Sequence, residues 1–161
     1  MYDQLNWYIS QDENFTLVSL EGIISENVDF RPLIENLADK SRVRFDLSGV
    51  NHINSWGVRE WVNFIRTISH CDIELEKCSP AVVTYLNMIS NFAEKARILS
   101  VQAPYICESC GNEENILILI TPGIIPEVSE VDCGSCGGKM EFDDIISSYF
   151  AFVYNKDFTS I

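Results

Sequence analysis

Two Cys-x-x-Cys-Gly knuckles stand 22 residues apart in this 161-residue chain: Cys107-Glu108-Ser109-Cys110-Gly111 and Cys133-Gly134-Ser135-Cys136-Gly137. Four thiolates in two close pairs match the donor set of a closed tetrahedral zinc site. Each pair spans one tight turn, so both of its sulfurs reach one ion. The glycine after each second cysteine permits a left-handed backbone and lets amides approach the sulfurs. Four protein ligands leave no open position for water or substrate. The role expected of Cys107, Cys110, Cys133 and Cys136 is therefore to hold a structural Zn2+.

Other uses of cysteine are weaker here. A single Cys-x-x-Cys reads as a redox dithiol, but two copies with matching glycines favour a metal. Disulfides need an oxidising compartment. Met1 to Phe15 has no basic start followed by an apolar stretch, so an unexported, cytoplasmic chain is expected. In such a chain the sequon Asn14-Phe15-Thr16 carries little meaning. Cys71 and Cys78 stand apart from the knuckles and read as apolar fillers.

Charge limits the partners. The net charge is −13, and no apolar run approaches the ~20 residues that a membrane-spanning helix needs. Residues 1–100 hold 9 Lys or Arg against 14 Asp or Glu, and residues 101–161 hold 2 against 10. Four thiolates on one divalent ion make the second region more negative still. A nucleic-acid reader needs cations to offset phosphate. The metal motif lies where such cations are scarcest, which disfavours that role.

The knuckles must be positioned by what surrounds them. Residues 1–103 read as alternating strands and helices, an α/β unit with helices packed on a sheet. Phe15 to Leu20 is rich in β-formers, with Leu5 to Ile9 as its hairpin partner. Pro32 opens a helix with Leu33, Ile34 and Leu37 inward. Val43, Phe45 and Leu47 alternate with polar residues, as do Ile73 and Leu75 with Glu74 and Glu76; both patterns predict strands. From Ser55 to Ser69, Val58, Trp61, Val62, Ile65 and Ile68 recur at helical spacing. Ser79-Pro80 caps another helix, with the stripe Val82, Tyr85, Leu86 and Ile89. Ile98 to Val101 is the expected last strand.

Residues 104–161 read as a small ribbon of two knuckles joined by a hairpin. Ile116 to Ile120 is expected to be a deeply buried strand, and Pro122-Gly123 and Pro126 mark turns. Asp143 to Tyr154 reads as a helix whose first turn is the acidic pair Asp143-Asp144. Its apolar residues either pack the ribbon onto the first region or wait for a partner.

The segment Phe45-Asp46-Leu47-Ser48-Gly49-Val50-Asn51-His52-Ile53-Asn54-Ser55-Trp56-Gly57-Val58 resembles the signature of STAS domains. That family includes bacterial anti-sigma factor antagonists and the cytoplasmic tails of sulfate transporters. Its pattern is a strand carrying D-L-S, a loop, then I-[DN]-S-x-G-[VL] opening a helix. The order of elements over residues 5–103 is similar too, whereas the four-cysteine module lies outside the family pattern. The resemblance implies a STAS-like mixed sheet and a signalling role by protein–protein interaction, with an anti-sigma factor or kinase-like regulator as partner. In the antagonists, a serine immediately before the glycine is phosphorylated and switches partners. Here Trp56 stands at that position, Ser55 matches the preceding hydroxyl, and Asn54 replaces the usual aspartate. The standard phosphoserine switch is therefore not expected. Ser55 either caps the helix or accepts phosphate, and Trp56 either anchors a partner or packs internally.

The reading that results is a non-enzymatic regulatory binding module with a partner loop at Asn54, Ser55, Trp56 and Gly57. A thiol oxidoreductase and a nucleic-acid-associated protein are the alternatives. His52, in the loop after a strand, and His70 are the available imidazoles. No glycine-rich phosphate cradle or nucleophile elbow occurs in the sequence.

Overall fold

The chain begins with a hairpin. In the computed structural model, which describes residues 4–155, β1 (Leu5–Gln11) pairs antiparallel with β2 (Thr16–Ile24), placing Ile9 opposite Val18. Residues 1–3 and 156–161, the outer ends of the two expected segments, lie outside the described residues. Three strand–helix units follow: α1 (Arg31–Leu37) and β3 (Arg42–Ile53), α2 (Ser55–Thr67) and β4 (Asp72–Glu76), α3 (Pro80–Met88) and β5 (Arg97–Ile98). The sheet order is β1-β2-β3-β4-β5, parallel from β2 onward. Each crossover advances one place in the same direction, and right-handed crossovers then put all three helices on one face.

Period-two alternation decides what each face carries. Val43, Phe45 and Leu47 are buried toward the helices. Phe45 meets Trp61 and Phe64 edge-on, and Phe30 stacks on Phe64 at 4.3 Å between ring centroids. Trp61 is buried whole because its indole N–H donates to the Phe92 carbonyl at 3.0 Å. The open face carries Arg42, Arg44, Glu74, Glu76 and Arg97. The period places Glu74 in water, yet its side chain is only 3% exposed. Arg42 at 3.2 Å, Arg44 at 3.3 Å and Arg97 at 3.2 Å close over it. Cations on both flanking strands thus bury a carboxylate that alternation alone leaves outside.

The expected strand over 98–101 splits at Leu99. β5 ends the first sheet, and β6 (Ser100–Cys107) starts a second. β6 runs straight through positions 103 and 104. At its start Val101 bridges Cys78 and the Gln102 amide donates to the Cys78 carbonyl; at its end lies Cys107. β7 (Glu113–Leu119), β8 (Val131–Asp132) and β9 (Lys139–Phe142) complete an antiparallel sheet in the order β7-β6-β9-β8. One hydrophobic core contains residues of both sheets, including Cys107 and Cys133.

Two expectations for this region need correction. Ile116 to Ile120 is not a deeply buried strand: β7 is an edge that turns Ile116, Ile118 and Ile120 to the core and leaves Leu117 and Leu119 exposed. A run of five aliphatics hides its alternation from composition. The tail is not one helix but α4 (Ile146–Tyr149) followed by a 3-10 turn over Ala151–Tyr154. Its β-branched, aromatic and serine residues are weak helix formers, and packing sets their path. Asp143 and Asp144 precede that helix, with the Asp144 carboxylate accepting from the Ile145 amide at 2.6 Å.

The tail does pack the ribbon onto the first region. Tyr149, Phe150, Phe152 and Val153 are buried. Asn87 on α3 donates to the Tyr149 carbonyl and accepts from the Phe152 amide, each at 2.8 Å. The Tyr149 hydroxyl donates to the Gln102 carbonyl on β6 at 2.5 Å. Tyr105, Phe142, Tyr149 and Phe150 form a second aromatic cluster. Among the described residues, no helix is long and apolar enough to cross a membrane.

Candidate metal centre

Each knuckle turns its own hairpin, the first between β6 and β7 and the second between β8 and β9, rather than the two sharing one. They repeat bond for bond. The Cys107 amide donates to the Asn112 carbonyl at 2.9 Å, and the Cys133 amide to the Gly138 carbonyl at 2.7 Å. The Gly111 amide donates to the Cys107 carbonyl at 2.8 Å, and the Gly137 amide to the Cys133 carbonyl at 2.9 Å. Gly111 and Gly137 both sit at φ 75°, a left-handed turn that glycine adopts without strain. Pairing of β6 with β9 then brings the two turns face to face.

The sulfurs meet between them. Cys107 Sγ lies 3.6 Å from Cys136 Sγ, and Cys110 Sγ lies 3.7 Å from Cys133 Sγ. All four fall within 4.8 Å of one another. Bonds of ~2.3 Å in a tetrahedron set sulfur–sulfur edges near ~3.8 Å. The contacts are therefore those of a cage around one ion and exceed the ~2.05 Å of a disulfide. These four cysteines lie close enough to hold a metal ion.

Amides prepare two of the thiols. The Cys136 and Ser135 amides pull the Cys133 thiol down to about 6, and the Cys110 and Ser109 amides lower that of Cys107. The second cysteines move the other way. The Asn112 amide favours the Cys110 thiolate, but proton sharing with its sulfur neighbours and burial outweigh it, leaving Cys110 at about 12. Cys136 also rises despite the Gly138 amide. Four crowded sulfurs cannot all ionise unless a cation replaces their protons.

Two neighbours of the sulfurs escape the Cys-x-x-Cys pattern. The Asn112 side-chain amide reaches across to Cys133 Sγ at 3.9 Å while holding Glu114 at 2.8 Å. The Gly138 amide donates to Cys136 Sγ at 3.3 Å. Both follow a knuckle glycine, so the repeat extends one residue further than the cysteines indicate.

The partner-loop residues follow the C-terminal end of β3. Asn54, not Ser55, caps α2: its Oδ1 accepts from the Gly57 amide at 2.7 Å. Its Nδ2 donates to Glu26 Oε2 at 2.7 Å, which lowers the Glu26 pKa. Ser55 is the first residue of the helix and its side chain is exposed. Trp56 is 60% exposed and does not pack against Trp61, which lies in the core. Gly57 is required by close approach, because a Cβ there would fall on the Ile24 carbonyl. His52 lies in the last turn-ward residues of β3 rather than in a loop, opposite Ile23. Cys71 and Cys78 are buried, and burial raises both thiols, consistent with filling space. No family model matches the chain, and no curated protein matches it.

Proposed function

We propose that this chain is a non-enzymatic, STAS-type regulatory module that binds a protein through the start of α2 and carries a structural zinc ion in an appended ribbon. The exposed Trp56 carries the binding reading. An indole in water on a capped, rigid helix start has the form of a hot-spot anchor, because its burial by a partner releases much apolar area for little lost side-chain freedom. The partner that fits is an anti-sigma factor or kinase-like regulator with an apolar pocket. The −13 charge argues against a phosphate backbone.

The surroundings of Ser55 support a module without the standard phosphoserine switch. A phosphate there would gain from the helix N-terminus. It would also meet the Glu26 carboxylate, which Asn54 draws to that same turn. Zinc is the ion that four thiolates in a closed tetrahedron favour. The ribbon then supplies a rigid second surface.

Thiol chemistry is the alternative, favoured by the acidity of Cys133. A nucleophile must also be reachable, and acidity and access fall on different sulfurs. Cys107 and Cys133 are acidified but buried, whereas the exposed Cys110 and Cys136 are raised.

Affinity capture from the native cell compares wild type with Trp56→Ala. Loss of the partner with unchanged thermal stability is the expected result, and equal recovery sinks the Trp56 reading. Native mass spectrometry is expected to find one zinc per chain. A metal-free chain that turns over in an insulin-reduction assay supports the thiol reading instead.

A further inference from the structure

Among the described residues no strand pairs with the outer edge of β7 over Glu113–Leu119, and only past it does Ile124 bridge Thr121. The Ile120 amide donates to the Leu99 carbonyl at 3.0 Å, and the Cys107 amide to the Asn112 carbonyl. Even-numbered residues therefore bond to β6, while residues 113, 115, 117 and 119 turn their amides and carbonyls outward. Leu117 is 47% exposed, Leu119 75% and Ile124 58%. Proteins normally blunt such an edge with lysine, proline, a bulge or an inward charge. From Asn115 to Leu119 β7 has none of these, its charges Glu113 and Glu114 standing at one end, and its pairing with β6 is regular.

Charge identifies what can cover it. Residues 115–126 contain no charged side chain, within a region that is otherwise strongly acidic. A basic or acidic partner segment finds nothing there to pair with. A second copy of the same strand does. Antiparallel pairing about Ile118 sets Leu117 against Leu119 and Ile116 against Ile120, each twice, with Ile118 against Ile118, and stops short of Thr121, whose carbonyl already accepts from the Ile124 amide. Every aliphatic then meets an aliphatic. Leu117 and Leu119, whose polar groups point outward, become the hydrogen-bonded pair.

This register also handles the repulsion between two acidic chains. Glu114 of one copy lies eight positions from its counterpart, roughly 27 Å at ~3.4 Å per residue. That is about three Debye lengths at physiological salt. A parallel pairing would instead stack the Glu113-Glu114 ends. The other edges offer less. β8 has two residues and an Asp132–Lys139 ion pair beside it. β1 interrupts its apolar residues with Asn6, Ser10 and Gln11.

We propose that the chain forms a two-fold dimer in which β7 pairs antiparallel with β7 of a second copy, joining two four-stranded sheets into one of eight. Sedimentation velocity and equilibrium on the full-length chain test this. Wild type is expected to sediment as a dimer. Leu119→Lys places a charge in the joint. Leu117→Pro removes an outward amide without touching the β6 ladder. Each is expected to raise the dissociation constant by about tenfold or more while metal content and far-ultraviolet circular dichroism stay unchanged. Tyr8→Lys, on the β1 edge, should leave the dimer intact. A wild type that remains monomeric at high micromolar concentration overturns the proposal. So does a dimer that survives both β7 variants, or one that only Tyr8→Lys dissociates.

Discussion

The two sheets of this protein are made firm by different means. The first is closed by side chains: Phe30, Phe45, Trp61, Phe64 and Phe92 fill the space beneath the helices, and Arg42, Arg44 and Arg97 seal Glu74 on the open face. The second has strands of two, four, seven and eight residues and two tight turns. At its distal end the described residues include no aromatic cluster, and four sulfurs close enough to hold a metal ion stand there instead. A sheet with a core on one face tolerates loss of one contact, whereas a ligand cage fails as a unit. The aromatic tail joins the two, so the ribbon is firm at the Tyr149 end and conditional at the knuckle end.

The largest effect should come from the sulfurs. Cys107→Ser, or a strong chelator, removes a binding free energy on the order of 10 kcal/mol. Hydrogen exchange should then show the knuckles, β7, β8 and β9 losing protection while β2 and β3 keep theirs. Loss of protection in both sheets together would erase the contrast. Next comes the aromatic core, where Trp61→Ala should cost about 3–5 kcal/mol in urea unfolding and leave the metal stoichiometry unchanged.

Acid separates the two regions further. Burial pushes the Glu74 carboxyl up, but Arg42, Arg44 and Arg97 outweigh that and hold it below its ordinary 4.5. A carboxylate with a depressed folded-state pKa contributes stability above its unfolded pKa and loses it as the pH falls through the folded one. Stability of the first sheet should therefore decline below about 4.5. Glu74→Gln should flatten that decline and cost about 2 kcal/mol at neutral pH, less than a fully buried pair because the guanidiniums reach water. Metal release also rises with acid, since protons compete for thiolates, and its midpoint should be the same in Glu74→Gln. A shifted midpoint would mean that the regions titrate together. Smallest is the cap: Asn54→Ala should cost about 1 kcal/mol in thermal unfolding, and Ser55→Ala close to nothing. The reverse order would return the cap to Ser55.

Much of this was readable from residues alone. The duplicated Cys-x-x-Cys-Gly needs no fold to be recognised, because ligand type and turn length are local properties. The hairpin, the Val43-Phe45-Leu47 strand, the α2 stripe and the Ser79-Pro80 start follow from periodicity and capping. The cap of α2 was not readable, because Asn54 and Ser55 are both competent and the chain's entry angle chose between them. Burial of Glu74 depends on arginines 30 and 32 residues away. Exposure of Leu117 and Leu119 depends on β7 falling at an edge.

By itself the sequence determined which atoms could ligate, which stretches alternate and where the acidic charge lies, because these depend on residue type and near spacing. Tertiary structure alone decided that pairing of β6 with β9 is what brings the two knuckles together, that β6 is shared between what look like two segments, and which flank of each strand meets water. The reason is that strand order and pairing join residues far apart in the chain, and no local pattern encodes which neighbour each edge receives.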